Sequence, residues 1–225
     1  MAWGENWEKV FSNQNWGKYP PEDLIRFVAR NFYKAPDRSK VKLLEVGCGT
    51  GANLWFTARE GFGTYGVDGS STAIKAAEAR LNSECPGWKG QLLTGDIERL
   101  PFDDEMFDGV FDNEAIYANS FESSVNIYKE MLRVTKKGGK LFTKTFAEGS
   151  YGENSGPKAG HNAWYPEVEP FYCGGDCYSR FTSYKEIPDM LPGWTIQSVD
   201  MTTYTYGGYE DNRVIKEWVI IAEKP

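Results

Sequence analysis

From residue 20 onward, short apolar runs alternate with amphipathic segments, and that alternation predicts the fold class. The stretch "PPEDLIRFVARNFYKAP" (20–36) opens on two prolines, carries acids in its first turn and spaces Leu24, Val28 and Phe32 four apart. It reads as an amphipathic helix that stops before Pro36. "VKLLEVG" is a short buried strand, "ANLWFTAREG" has helical spacing with a closing glycine, and "GTYGVDGS" holds a strand from Thr64 to Val67. The Ala-rich helix "STAIKAAEARL", with a Ser cap, follows, then a third strand in "GQLLTGD" and a fourth in "MFDGVFDNEAIY". After the helix "ESSVNIYKEMLRVTK", Gly138 and Gly139 are expected to turn the chain into strand five, "KLFTKTF". Strands alternating with helices of this length specify a parallel, doubly wound α/β sheet.

The pattern fails between 147 and 180, where Gly, Pro and aromatic residues dominate and no regular structure is expected. Beyond it, "SYKEIPDML" reads as a short helix. "WTIQSVDMTTYTY" and "VIKEWVIIAEK" read as two strands joined by the turn "GGYEDN", with no helix between them. Such a pair is an antiparallel hairpin, so the parallel sheet should end in one reversed strand. One domain over 1–225 is expected, with a lid and helix in 1–36 and an irregular substrate-covering insertion in 147–180.

Composition narrows the classes. The 225 residues are 40% hydrophobic and 25% charged, and no apolar run approaches the roughly 18 residues of a membrane helix. The N-terminal stretch lacks a basic region followed by an apolar one, so a cytoplasmic protein is expected. A net charge of -7 argues against a sequence-independent grip on nucleic acid. Four cysteines include one close pair, Cys173 and Cys177, but the chain has a single histidine, and no metal site is expected. Aromatic residues reach 15% and gather in "WGENWEKVFSNQNWGKY" and "WYPEVEPFYCGGDCYSRF". Both stretches look too polar and irregular for core elements, which suggests segments that fold over a ligand or pack beneath loops.

The chemistry centres on "LLEVGCGTGAN" (43–53), where a strand turns through Gly47, Gly49 and Gly51 into a helix. Glycines there permit positive φ and close approach of a ligand to backbone N–H groups at a helix start. On these residues alone two cofactors stay open. Gly47, Gly49 and Ala52 fit G-x-G-x-x-A with Asp68 some twenty residues on, which suits a dinucleotide. Yet Glu45 ends the first strand, where a pyrophosphate is repelled and a cationic ligand welcomed. A further acid and apolar residue, Asp96 and Ile97, end the third strand.

In order, "LLEVGCGTGAN", "GVDGS", "GDIERLPFDDEMFDGVF" and "MLRVTKKGGKLFTKTF" resemble the class I S-adenosylmethionine-dependent methyltransferases, closely from Lys42 to Phe146 and only in topology beyond. The resemblance implies a Rossmann-like seven-stranded sheet of order 3-2-1-4-5-7-6, S-adenosylmethionine as cofactor and S-adenosylhomocysteine as product. It assigns the ribose hydroxyls to Asp68, the adenine amine and ring to Asp96 and Ile97, and the amino-acid end to Glu45 and the backbone of Gly47 to Gly49. Cys48, Gly51, Asn53, Gly69, Ser70 and Asn113 complete the expected cofactor contacts, and Trp16 and Tyr19 resemble an aromatic lid.

On the acceptor side, His161 is the candidate general base, as the one histidine of the chain and as part of the irregular segment expected to cover the substrate face. Tyr117, Tyr151, Trp164, Tyr172 and Arg180 are candidate substrate residues. Glu114 is read as a helix N-terminal acid, with substrate ligand as the alternative. The family's N-methyltransferases often carry N/D-P-P-Y/F after strand four, whereas this chain has "DNEAIY", which favours an oxygen acceptor. The expected activity is methyl transfer to a hydroxyl or carboxylate of a small molecule. A nicotinamide-dependent oxidoreductase and a catalytically inactive cofactor-binding subunit are the alternatives.

Overall fold

Strands that are apolar on both faces need cover on both sides, and the helices between them provide it. The computed structural model describes residues 5–13, 17–169, 171, 177–205, 207–208 and 211–225. Helices α1 (Glu5–Asn13) and α2 (Glu22–Phe32) come first. They are followed by β1 (Lys42–Val46), α3 (Ala52–Arg59), β2 (Gly63–Asp68), α4 (Ser71–Glu84), β3 (Lys89–Thr94), β4 (Phe107–Asn113), α5 (Phe121–Val134) and β5 (Thr135–Phe146). Three short strands, β6 (Lys158–Gly160), β7 (Ala163–Trp164) and β8 (Ser179–Arg180), form a separate antiparallel sheet. The chain ends with α6 (Ile187–Met190), β9 (Thr195–Thr205) and β10 (Val214–Glu223).

The large sheet runs β3-β2-β1-β4-β5-β10-β9, with β10 antiparallel to both neighbours. Counted within that sheet alone, this is the order 3-2-1-4-5-7-6. Adjacent strand residues point to opposite faces. Leu44, Val110 and Leu141 therefore pack on Tyr128 and Met131 of α5, while Leu43, Phe111 and Phe142 pack on Phe27 of α2 and Leu54 of α3. The order reverses between β1 and β4, and ligands of such sheets bind in the crevice outside the strand ends there. No helix among the described residues is long and apolar enough to cross a membrane.

Three regions differ from the sequence reading. The first aromatic stretch is helical over Glu5–Asn13, with Trp7, Val10 and Phe11 at helical spacing facing inward and Glu8, on the flank of that face, bonded to Ser70 and Thr72. Strand β5 starts at Thr135 rather than at Lys140. Gly138, at φ +74, makes a bulge inside the strand, where the register with β4 shifts, instead of a turn ahead of it. The 147–180 segment contains β6 to β8, held by a cluster of Phe146, Trp164, Phe171 and Phe181.

At the end of β4, fully buried Asp112 ties three elements together. Its Oδ1 accepts from the backbone N–H of Ala115 (2.9 Å) and Ile116 (3.0 Å), and its Oδ2 accepts from Thr143 Oγ1 (2.7 Å). The Thr143 oxygen in turn accepts from the Tyr128 hydroxyl at 2.8 Å. Burial outweighs these donors and pushes the carboxyl from 3.8 up to about 6. The native state then holds this proton longer than the unfolded chain does. The stabilisation it gives is fully present below about pH 4 and is lost as pH rises through 6, roughly 3 kcal/mol in all. Asp112→Asn, which keeps the shape without the charge, is expected to flatten the fall in urea-unfolding free energy between pH 4 and 7 by about that amount. An unchanged slope in the variant would mean that Asp112 does not titrate there.

Candidate active site

The turn after β1 is built by backbone contacts that side chains would block. Gly47, Gly49 and Gly51 have φ of +67, +49 and +79, and the N–H groups of Gly47 and Cys48 donate to Val67 O at 2.8 and 3.2 Å. A Cβ on Gly47 would lie 2.2 Å from the Cβ of Ala115, and one on Gly51 would lie 2.9 Å from that of Ala77. The first contact brings the loop after β4 against the glycine turn; the second seats α4 against the start of α3.

These contacts enclose a cavity of about 410 Å³ at the switch point. Of the expected cofactor residues, Tyr19, Glu45, Gly47, Cys48, Gly49, Asn53, Asp68, Gly69, Ile97 and Asn113 line it. Gly51 and Ser70 stand behind the lining, Gly51 as the N-cap of α3 and Ser70 as that of α4. Asp96 turns its Oδ1 to the backbone N–H of Glu98 at 3.0 Å, while its neighbours Gly95 and Ile97 reach the cavity. Trp16 lies outside the described residues. Trp7 and Phe11 of α1 cover the cavity instead, with Phe11 over Gly49. Their spacing on a helix was the sequence signal for this role, obscured by the polar residues around them. Glu114, for which substrate ligand was the alternative reading, also lines it, whereas Ala115, Ala118 and Asn119, beyond β4, were legible only through the topology that brings that strand end to the crevice.

The acceptor-side residues fare differently. Tyr117 lines the cavity, but no described residue of 147–180 does. His161 is a correction: its side chain is 64% exposed and engages Glu186, so it stands away from the reacting centre. Arg180 is also corrected. It is fully buried, donating to Ser124 Oγ (3.0 Å), Thr182 Oγ1 (2.9 Å) and Asn119 O (3.4 Å), and so braces the cavity wall from behind. Trp164 packs on Phe181, and Tyr151 sits under the Arg213 guanidinium; neither reaches the cavity. Tyr172 lies outside the described residues.

The cavity's electrostatics are one-sided. Glu45 is buried; its Oε1 accepts from Asn53 Nδ2 at 2.6 Å, and its Oε2 has no donor. Burial, with Asp112 and Asp68 adding repulsion, pushes its carboxyl well above the usual range. Asp68 Oδ2 accepts from Gly49 N–H and Oδ1 from Ser70 N–H, both at 2.8 Å, yet burial still raises it. Asn53 Oδ1 and Asn113 Oδ1 are buried acceptors without donors. Glu114 adds a third carboxylate, and no Lys, Arg or His is among the described lining residues. Glu114 also departs from the sequence reading: it has φ +58 and precedes a 3-10 turn, Ile116–Ala118, rather than starting an α-helix.

This donor set fits S-adenosylmethionine. The unpartnered Glu45, Asn53 and Asn113 oxygens suit an ammonium, and each Asp68 oxygen keeps a lone pair for a ribose hydroxyl. A dinucleotide's pyrophosphate would meet Glu45, Asp68 and Glu114 and no cation among the described lining residues, which disfavours the nicotinamide alternative.

Residues 44–143 match the family described as "Methyltransferase domain". A malonyl-[acyl-carrier protein] O-methyltransferase of Erwinia pyrifoliae is 35% identical over 51% of this chain and 41% of its own length. The norajmaline N-methyltransferase of Rauvolfia serpentina is 26% identical over 56% and 42%. This chain thus spans less than half the length of either relative. An S-adenosylmethionine-dependent methyltransferase structure from Methanosarcina mazei superposes with a TM-score of 0.68 at 21% identity, covering 88% of this chain and 96% of its own. The reversed strand β10, the switch-point cavity and the matched segment agree: residues 44–143 are similar to the methyltransferase-domain family, in a chain with the fold of the Methanosarcina methyltransferase structure.

Proposed function

We propose that this chain transfers the methyl group of S-adenosylmethionine to an oxygen of a small acceptor. The observation that carries the reading is the buried Glu45 oxygen without a donor, beside the unpartnered Asn53 and Asn113 oxygens, at the turn where the cofactor's ammonium belongs. Asp68 holds the ribose, Ile97 packs the adenine, and Trp7, Phe11 and Tyr19 cover the bound molecule. The sulfonium supplies an activated methyl group, so what the protein adds is chiefly alignment and exclusion of water. The Erwinia relative's name and the absence of N/D-P-P-Y/F after β4 favour oxygen over nitrogen. The acceptor is taken to be a metabolite, free or carried on an acyl carrier protein as that relative's name suggests.

Titration calorimetry tests the cofactor assignment: S-adenosylhomocysteine is expected to bind and NADH is not. The reverse result would restore the oxidoreductase. Glu45 also gives this binding a pH signature. Burial raises its carboxyl well above the usual range in the empty site, and pairing with an ammonium lowers it again, so affinity is expected to rise with pH and binding to release protons. Glu45→Gln is expected to weaken S-adenosylhomocysteine binding about 10- to 100-fold, the range for a lost charged hydrogen bond, and to abolish the buffer dependence of the binding enthalpy. If both quantities match the wild type, Glu45 does not face the ammonium.

A further inference from the structure

Cofactor binding leaves Glu114 unexplained. It follows Asn113 directly at the end of β4 and lines the cavity, with its N–H donating to Lys144 O at 3.0 Å and its backbone in the left-handed region. Residues other than glycine avoid that region, and where one is held there the surrounding structure enforces it, most often at functional sites. Here its N–H is tied to Lys144 O and the next two N–H groups to the Asp112 carboxylate, and its side chain joins a buried ionic set. Lys144 Nζ, on β5, lies 3.6 Å from Glu114 Oε1 and 2.8 Å from Oε2 of Glu217 on β10, and Glu217 Oε2 also accepts from Thr202 Oγ1 at 3.1 Å.

Two carboxylates share one ammonium, so the set carries a net negative charge unless it keeps a proton. Lys144 and Thr202 serve Glu217 more closely, which leaves Glu114, at the cavity end, as the carboxylate of the two with the greater affinity for a proton. Its side chain retains 31% of its accessible surface, so a proton taken up there has a route out. An anionic acceptor would enter a cavity lined by Glu45, Asp68 and Glu114 with no cation among the described lining residues. A neutral hydroxyl instead brings a donor to a carboxylate. We propose that Glu114 accepts the proton of a neutral hydroxyl acceptor during methyl transfer, with Lys144 and Glu217 as positioning residues.

The proposal rests on the methyl-transfer reading above. In the step, the acceptor's O–H bond breaks toward Glu114 and the acceptor oxygen bonds the methyl carbon. The carbon–sulfur bond breaks with its electron pair on sulfur. A cationic donor, a neutral alcohol and a carboxylate become a neutral thioether, an ether and a carboxylic acid, so the charges cancel inside the cavity. Burial and Glu217 raise the Glu114 carboxyl, while Lys144 opposes them. The other groups bearing on the set are the Tyr117 hydroxyl, itself raised by burial and Glu114, and Asp23 of α2, which acts on Lys144.

The test uses the full chain saturated with S-adenosylhomocysteine. With carbon-13-labelled glutamate, the carboxyl signal lost in Glu114→Gln should titrate above the ordinary carboxylate range. Glu217→Gln should lower its midpoint and Lys144→Met should raise it, each by about one unit. Phenol should bind this complex at least tenfold more tightly than benzoate, and Glu114→Gln should narrow that gap. The proposal is overturned if Glu114 titrates near 4, if Glu217→Gln leaves the midpoint in place, or if benzoate binds as well as phenol. If S-adenosylhomocysteine itself fails to bind the wild type, the methyl-transfer reading falls and takes this proposal with it. Binding followed by any of the overturning results defeats the proposal alone.

Discussion

Negative charge confined at one edge of the sheet governs the rest of this structure. Glu45, Asp68, Asp112 and Glu217 are each at most 5% exposed, and Glu114 opens only in part toward the cavity. A buried carboxylate has three remedies: donated hydrogen bonds, a nearby cation, or a retained proton. Each is used. Asp68 and Asp112 take backbone N–H donors, Glu217 takes Lys144 and Thr202, and Glu45 and Glu114 have too few donors or cations to stay ionised easily. The two left underserved both line the cavity, where a cationic ligand and a proton-donating acceptor would satisfy them.

This arrangement depends on how β1 and β4 end. Gly47 lets the loop after β4 come into van der Waals contact with the glycine turn, and Asp112 shapes that loop by capping the Ile116–Ala118 turn. The same loop carries Glu114 and Asn119, and Arg180 holds Asn119 from the far side. Arg180 therefore bears on the cavity through the main chain of its neighbour. The 147–180 segment has the same relation to the site: its aromatic cluster packs on Tyr117 and Phe146 and fixes the wall without lining it.

The central fold was legible because its signals are local and repeated. Each strand from "VKLLEVG" to "KLFTKTF" is a short apolar run, each following helix has its own spacing and cap, and Glu45, Asp68 and Ile97 stand at strand ends where the topology sends ligands. The misread regions are those whose physics is not local. Trp7, Val10 and Phe11 carry a helical period, but α1 has little reason to form until it packs on the cavity and on α4 through Glu8. His161 drew attention by its residue type and by its place in a segment expected to cover the substrate face, and neither fixes a distance. Gly138 and Gly139 read as a turn because a bulge and a turn ask the same of a glycine, and only strand pairing separates them.

Glu114 shows the same limit from the other side. In the sequence it is one acid in "DNEAIY", open to a reading as a helix-starting residue. Its partners lie 30 and 103 positions away, on β5 and on the reversed strand β10. Antiparallel pairing sets Glu217 opposite Phe146, beside Lys144 and next to the end of β4, so the ionic set exists only because the last strand runs backwards into the sheet. A parallel strand in that place would reach the edge in a different register and would not carry the same side chain to Lys144. The reversed strand thus completes the sheet and also supplies the carboxylate that competes with Glu114 for the Lys144 ammonium.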